Sequence, residues 1–509
     1  MEIRLKDSNH EVDVIVIGGG NAALCAALAA RGAGASVMLF ERAPEAQRGG
    51  NSGFAGGNWR VVYDGVDDIK KLVPDLTDEE VANTDFGRYT EEQFFDDMAR
   101  VTQYRTNPDL CEVIVKRSLD TLTWMRGKGV RFLPYYGRQS FKVDGRVKFW
   151  GGLTITVSGG GIGVVDALFA AALREGVKVA YSSRVTRLLR DGAGVSGVEV
   201  VSGGRVTEHR ARAVIIACGG FEANAEWRTR YLGRGWDLAK VRGSRFNTGD
   251  GIRIALDAGA QAYGHWSGCH AVSWERYATD YGEVALRTSF QRHSYPYGLM
   301  INANGHRFVD EGADLRPYTY AKYGHIVLEQ PGQFAWQVYD AKVAHLLREE
   351  YKSRQVTKVT ANTIEELVTK LDGVDAAVAL KTIEDYNAAA PASSGFNPTV
   401  KDGLATKGLA IPKSNWAQRL DTPPYEAYAV TCGVTLTFGG IKINACAEVV
   451  DVVDEAIPGL FAAGEVVGGI FYFNYPGGSG LTSGAVFGKV AGASAAAFAA
   501  GNAKAGAAG

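Results

Sequence analysis

The residues with the plainest chemical implication stand near the start of the chain. Gly18, Gly20 and Ala23 form a G-x-G-x-x-A turn, and Glu41 follows about twenty positions on. Bare backbone N–H groups at a helix start, with the positive end of its dipole behind them, hold a pyrophosphate where no side chain intervenes. Glu41 can then accept hydrogen bonds from a ribose hydroxyl pair. A glycine triplet alone is a turn. Here it stands in the order strand, turn, helix, strand, acid, which describes a dinucleotide site and leaves NAD and FAD both open. Arg48 to Trp59, RGGNSGFAGGNW, sets glycines among small polar residues, as in a backbone that passes close to a flat ligand. Late in the chain, Tyr475-Pro476-Gly477-Gly478 feeds a helix from about Leu481. Its N-terminus could stabilise negative charge on an electron-rich ring edge.

These groups need rigid elements behind them. Val14 to Ile17 is a short apolar run suited to a strand buried on both faces, and Ser36 to Phe40 reads as its partner. Between them, Ala22 to Ala30 is rich in helix formers and is closed by Gly32 to Gly34. From Val66 to Arg126 the apolar spacing is helical, with Gly127 and Gly129 as the stop. Ser158 to Gly163 opens a helix over Val164 to Leu173. Alternating strands follow and read as a β-meander returning to the main sheet at Val214 to Ala217. Asn247 to Gly251, NTGDG, precedes a helix over Ile252 to Ala258. Between about Tyr263 and Tyr428 aromatics and charges rise and the strand–turn–helix rhythm disappears, resuming at Val434. The expectation is an α/β chain. Residues 1–263 and 429–509 form a Rossmann-like, dinucleotide-binding domain with a β-meander, and 264–428 form an inserted α+β substrate or capping domain.

The bulk composition narrows the partners. With 55 basic against 56 acidic residues, nothing points to nucleic acid or an anionic membrane. Cys25, Cys111, Cys218, Cys269, Cys432 and Cys446 are scattered without C-x-x-C spacing, which argues against covalent haem, an iron–sulfur cluster or a redox dithiol. His265, His293 and His325 lack metal-ligand spacing, so no metal is expected. No signal peptide or bilayer-length apolar stretch is evident, and the expected location is cytoplasmic.

The motifs taken together have a family likeness. G-x-G-x-x-A with Glu41, RGGNSGFAGG, IIACGGF, NTGDG, INANGHRFVDEG, and the late AGE and GGSG turns occur in one order. This order resembles the FAD-binding flavoprotein superfamily of succinate dehydrogenase, fumarate reductase and 3-ketosteroid Δ1-dehydrogenase. Within it, GGGNAALCAALAAR, RGGNS and FYFNYPGGSGLTSGAVFG are most similar to the tricarballylate dehydrogenases. The resemblance implies FAD, with hydride exchange between a substrate carbon and the flavin. It implies cofactor contacts from Gly18, Gly20, Ala22, Glu41, Arg42, Asn51, Ser52, Gly56 and Gly57. Val185, Ala217, Gly219, Asp250, Glu465, Gly480 and Leu481 would complete them. Succinate dehydrogenases attach flavin through a histidine just after the arginine of this loop. Here Gly49, Gly50 and Asn51 stand there, so the FAD is expected to be noncovalent.

For the chemistry, the resemblance implies proton exchange by an arginine following the Arg307-Phe308-Val309-Asp310-Glu311 segment, which is Arg316. The alternative is that Arg316 pairs with Asp310, Glu311 or Asp314. Arg292 corresponds to a relay arginine, although Ser289 stands where its acid belongs. Thr435-Leu436-Thr437 replaces the histidine-containing carboxylate motif of fumarate reductases, leaving Thr437 as a substrate contact. Tyr475 resembles the ketone-polarising tyrosine of ketosteroid dehydrogenases, and Tyr318 and Tyr297 add phenols. Arg60 and His270 are further candidates for holding substrate. The implied substrate is a small carboxylate or ketone. Electrons must leave to an external acceptor: a quinone-linked protein, oxygen or a soluble carrier.

Overall fold

The computed structural model describes residues 12–150, 152–192, 194–391 and 395–501. The charged N-terminal residues and the end of the alanine-rich tail, for which no signal peptide and no span were expected, lie outside these. The chain divides into two compact units. The first comprises the residues up to Arg234, Gly243–Cys269 and Leu436 onward, and the second Gly235–Arg242 and His270–Thr435. The sequence boundaries had been drawn at 263 and 429. The short excursion of 235–242 into the second unit had no counterpart in that expectation.

The first unit starts with the βαβ motif. Strand β1 (Val12–Ile17), helix α1 (Asn21–Gly32) and strand β2 (Val37–Phe40) follow one another, with β1 and β2 parallel. Helix α2 (Gly160–Arg174) leads to β3 (Lys178–Ala180), which extends the sheet beside β2. Strands β4 (Ser183–Asp191) and β5 (Gly194–Ser202) form the expected meander with β6 (Arg205–Ile216). One strand serves both layers. The first half of β6 pairs with β5, while its second half, Ala211–Ile216, runs parallel to β1. From Ala213 to Ile216 that half is apolar and fully covered, as a strand with neighbours on both faces must be.

Helix α3 (Ser479–Ala499) lies along α1. Gly488 and Gly492 face it, and a Cβ at either would fall 2.4 Å from the Ala22 carbonyl oxygen or 2.2 Å from that of Ala26. The small residues of α3 are therefore what lets the two backbones approach. Among the described residues no helix is long and apolar enough to cross a membrane.

The second unit is built on a sheet in which Tyr425–Ile441 pairs antiparallel with Ala335–Tyr339, which in turn pairs with Leu299–Asn302. Its core of Leu299, Ile301, Trp336, Val338, Leu367, Ile383 and Ala427 is covered by the helices Ile364–Thr369 and Ala376–Ala389. The long strands Ala262–Glu275 and Tyr425–Ile441 carry the chain between the units.

Candidate functional site

The first unit gathers the expected cofactor residues around the end of β1. Gly18 has φ +114°, and a Cβ there would lie 2.4 Å from the carbonyl oxygen of Ala217, so only glycine passes this crossing. Helix α1 starts at Gly20 with no side-chain cap. Its first residue, Asn21, donates its N–H to Ser52 Oγ at 2.9 Å and its amide to the Leu481 carbonyl at 2.8 Å. Asn21, which sequence reasoning passed over, thus ties the start of α1 to the start of α3. Helix α3 likewise opens on Gly478 without a side-chain cap. Two uncapped helix starts and a glycine crossing form the cradle that a diphosphate requires.

Glu41 ends β2 with its carboxyl buried. Oε1 accepts the Ala43 N–H at 2.7 Å, and Gly19 lies so close that a Cβ would meet the other oxygen at 2.4 Å. Burial pushes its pKa up to about 7, against the hydrogen bonds it accepts. Arg42 pairs with Asp250 at 3.0 Å, and Arg184, beside Val185, adds a fork onto Asp250 at 2.8 and 2.9 Å. Gly57 at φ +74° packs against Gly160 at the start of α2, and Gly56 sits over Asn58. Asn51 accepts the Ser244 N–H at 2.8 Å and donates to Glu222 at 2.5 Å. Gly219, at φ +82°, leaves space that Asn247 fills. Glu465 accepts the Thr437 N–H at 2.8 Å and its hydroxyl at 3.3 Å. Thr437 is thus committed within the first unit to Glu465 and, at 3.3 Å, to the Phe221 N–H. Tyr475 is buried against Phe471 and next to the Gly480 turn.

Two of the expected arginines are placed differently. Arg60, expected to grip substrate, has no exposed surface. It donates to the Gly477 carbonyl at 2.9 Å and the Tyr89 hydroxyl at 2.7 Å, and pairs with Asp97 at 3.0 Å. Its polar atoms hold the Tyr475–Gly478 turn in shape. Arg292, expected as a relay, is equally buried, paired with Glu275 at 2.9 Å and bonded to the Ser289 and Gln291 carbonyls at 2.9 Å. A guanidinium enclosed in this way is a structural cation, because removing its partner would leave a buried charge.

In the second unit a basic cluster forms around Tyr320. The rings of His270 and His293 each lie 5.0 Å from the Tyr320 ring, and the Arg316 guanidinium carbon lies 5.5 Å from its centroid. Burial holds both histidines neutral, well below their ordinary values. The positive charge of Arg348, Arg316 and Arg242 adds to this at His293, and that of Arg242 at His270. His293 Nε2 is buried with no hydrogen-bond partner. Arg242 reaches Thr435 Oγ1 at 3.3 Å. Of the three acids named as partners for Arg316, Glu311 forks with Arg307 at 2.5 and 3.1 Å and Asp310 binds Ser414, which leaves Asp314, two residues before Arg316 and 3.7 Å from Lys401, as the acid nearest in sequence. Tyr318 shares the short turn with Arg316. Tyr297 packs by Trp416 and Phe396, and burial raises its phenol to about 12. Sequence reasoning named His270, Arg316, Tyr297 and Tyr318 but missed Arg242, His293 and Arg348. No group of acids, histidines and cysteines able to hold a metal occurs among the described residues.

A parallel sheet with an uncapped glycine turn, an acid at the end of β2 and a second glycine-led helix defines an FAD-type dinucleotide fold. The FAD binding domain family model matches residues 13–481, and the chain belongs to that family. A probable fumarate reductase of Shewanella frigidimarina (strain NCIMB 400) is 29% identical over 96% of this chain and 75% of its own length. Among solved structures, an open flavocytochrome c3 fumarate reductase has a TM-score of 0.73 at 26% identity, covering 97% of this chain and 79% of that one. The 3-ketosteroid Δ1-dehydrogenase of Sterolibacterium denitrificans has the same fold, with a TM-score of 0.73 at 21% identity over 96% and 100% of the two chains. The cofactor is FAD, and the chain falls among the FAD-dependent oxidoreductases of CH–CH and C=C bonds, in the fumarate reductase and succinate dehydrogenase superfamily.

Proposed function

We propose that this chain is a dehydrogenase of the tricarballylate type, acting on a small substrate that carries more than one carboxylate. The observation that carries the reading is the basic cluster of the second unit. Arg242, Arg316 and Arg348, the last 3.8 Å from Glu350, bring three guanidinium groups to the neutral His270 and His293, an arrangement suited to more than one carboxylate. Guanidinium groups bind carboxylates as planar forks, and a neutral imidazole adds a directed hydrogen bond.

Oxidation of a CH–CH bond removes one hydride and one proton. Bound FAD supplies the hydride acceptor, and this chain supplies the rest. The cluster holds and orients the carboxylates. Arg316 exchanges the proton on the neighbouring carbon. The phenol of Tyr318 follows it in the same turn, and buried Tyr297 keeps its proton at neutral pH. Asn51 with Gly49 and Gly50, in place of an attaching histidine, keeps the FAD noncovalent. Reduced cofactor is reoxidised by an external carrier.

The test is anaerobic visible spectroscopy of the protein against tricarballylate, succinate, a 3-ketosteroid and a cyclohexanone carboxylate. Bleaching of the oxidised flavin band by tricarballylate alone is the expected outcome. A second reading rests on Tyr475 beside the Gly480 turn, which suits a ketone oxygen polarised as in ketosteroid dehydrogenases. Bleaching by the ketones alone, lost in Tyr475→Phe, would replace the first reading with that one. Failure of every small substrate to bleach the flavin, with reduction only by a partner protein, would make the chain an electron-transfer subunit.

A further inference from the structure

The second unit encloses a lysine that none of the steps above uses. Lys413 is 1% exposed and donates its ammonium to the Gly298 carbonyl at 2.7 Å. That is one acceptor for a group with three N–H bonds to give. Burial, against the nearby Glu311 charge, lowers its pKa to about 8. A methionine would fill the same space without taking a charge out of water, so what the lysine adds is the directed bond.

Its neighbours in sequence bond to a different segment. Ser414 donates its N–H to Asp310 Oδ1 at 3.0 Å and its hydroxyl to Asp310 Oδ2 at 2.5 Å. Asn415, also buried, donates its side-chain amide to the Gly312 carbonyl at 2.8 Å. The chains touch there, since a Cβ at Gly312 would fall 2.3 Å from the Asn415 carbonyl oxygen. The Ile411 carbonyl accepts from Arg307 at 2.8 Å. Trp416 turns back, its ring centroid 6.5 Å from that of Tyr297. Residues 411–416 are therefore fastened on one side to the Tyr297–Gly298 turn and on the other to the 307–312 segment.

Both the run and the segment it grips are braced. Lys413 donates its N–H to Thr406 Oγ1 at 2.9 Å, and Thr406 returns its own to the Lys413 carbonyl at 3.1 Å. Asn415 Oδ1 accepts the Gly403 N–H, and Asp402 the Trp416 N–H, each at 2.9 Å. On the other side, Asp310 Oδ1 also accepts the Gly312 N–H at 2.9 Å, and the Asp310 carbonyl accepts the Tyr323 hydroxyl at 2.5 Å. From Gly312 the chain passes Asp314, 3.7 Å from Lys401, and reaches Arg316 at the start of its short turn. Apolar packing holds a loop in place loosely; directed bonds between buried polar groups fix it in one position.

We propose that Lys413, Ser414 and Asn415 are positioning residues, whose bonds hold the Arg316 segment and the Tyr297 turn in one fixed arrangement. The inference rests on the reading that Arg316 exchanges the proton, and it adds what sets that guanidinium in place. Ser414 acts through Asp310, Asn415 through Gly312, and Lys413 anchors the whole run to Gly298. A proton-transfer group displaced by about 1 Å loses rate by as much as about a hundredfold, so a loop that touches no substrate governs turnover.

The test reads Arg316 directly. Protein labelled with 15N-arginine gives a side-chain Nε–H signal for Arg316, assigned by its loss in Arg316→Lys. Ser414→Ala should move this signal to the position of unrestrained arginine and leave those of the other buried guanidinium groups in place, and Ser414→Thr, which keeps the hydroxyl, should restore it. Lys413→Met should melt no lower than wild type, because Glu311 keeps Arg307 as its counter-ion, and should still loosen Arg316. A signal unmoved in Ser414→Ala overturns the proposal whichever substrate is found. If that variant does not fold, an unmoved signal in Lys413→Met overturns it alone. With the substrate that bleaches the flavin, Ser414→Ala should lower kcat by about ten- to a hundredfold at unchanged KM, and cost nothing further in Arg316→Gln. Retained turnover in Arg316→Gln, with the signal still moved by Ser414→Ala, would remove the role of Arg316 in the reaction and leave the clasp standing.

Discussion

At the scale of single residues, the arginines separate by burial. Arg316 keeps part of its surface open beside Tyr320, whereas Arg60 and Arg292 are sealed into ion pairs. Replacing Arg316 with Gln should therefore cost at least about a hundredfold in turnover, the low end for a positioned proton-transfer group, while FAD remains bound with an unchanged spectrum. Retained turnover would remove its assigned role. Asp97→Asn should act the other way. Breaking the partnership of a fully buried guanidinium costs about 3 to 5 kcal/mol, so the variant should melt well below wild type and lose FAD as the Tyr475–Gly478 turn relaxes. An unchanged melting temperature with a raised KM would instead restore Arg60 as a substrate contact. The difference between these arginines was not legible in the sequence. Nothing about RGGNSGFAGGNWR indicates that its last arginine turns inward to Asp97, because that partner comes from a helix some forty residues away.

At the scale of elements, legibility followed backbone geometry. The turns at Gly18, Gly57 and Gly219 could be read because only glycine tolerates their positive φ and close crossings, and such a requirement leaves a mark at one position. The FAD assignment and the α/β fold came through on those marks. The basic cluster did not, because Arg242, His293 and Arg348 lie on separate segments and share no spacing. Arg242 also sits in the short 235–242 excursion, which interrupts one unit with a piece of the other and has no compositional signal. The stretch with Gly484 and Gly488 was read as a glycine turn feeding a helix from about Leu481, not as a contact surface. They allow a direct test. Gly488→Val should destabilise the protein by about 1 to 3 kcal/mol or more, since its side chain would have to displace the Ala22 carbonyl. Gly484→Ala should cost much less, because its Cβ would meet only the side-chain end of Asn21, at a tight 3.3 Å, and the Ala22 Cβ at 3.6 Å, with no backbone carbonyl to displace. Equal thermal shifts for the two variants would mean that the α1–α3 contact does not set the stability of the fold.

At the scale of the whole molecule, Glu41 is expected to make FAD uptake a proton-linked event. Burial pushes its pKa up to about 7 in the protein alone, which leaves it largely protonated below neutrality. The raised value means that Glu41 itself favours the apoprotein at low pH and withdraws that contribution as pH rises through about 7. A ribose diol donates hydrogen bonds and is better accepted by the carboxylate than by the acid, so binding FAD below this pH must expel the proton. The affinity for FAD should then increase with pH by up to about tenfold per unit below neutrality and level off above it. Glu41→Gln, which accepts but does not titrate, should bind more weakly at pH 8 and show no such slope. Isothermal titration in buffers of different ionisation enthalpy gives the proton count directly. Release of close to one proton by the wild type at acid pH, and none by the variant, is the expected result. An identical count for both would move the linkage to another group and leave Glu41 ionised in the apoprotein.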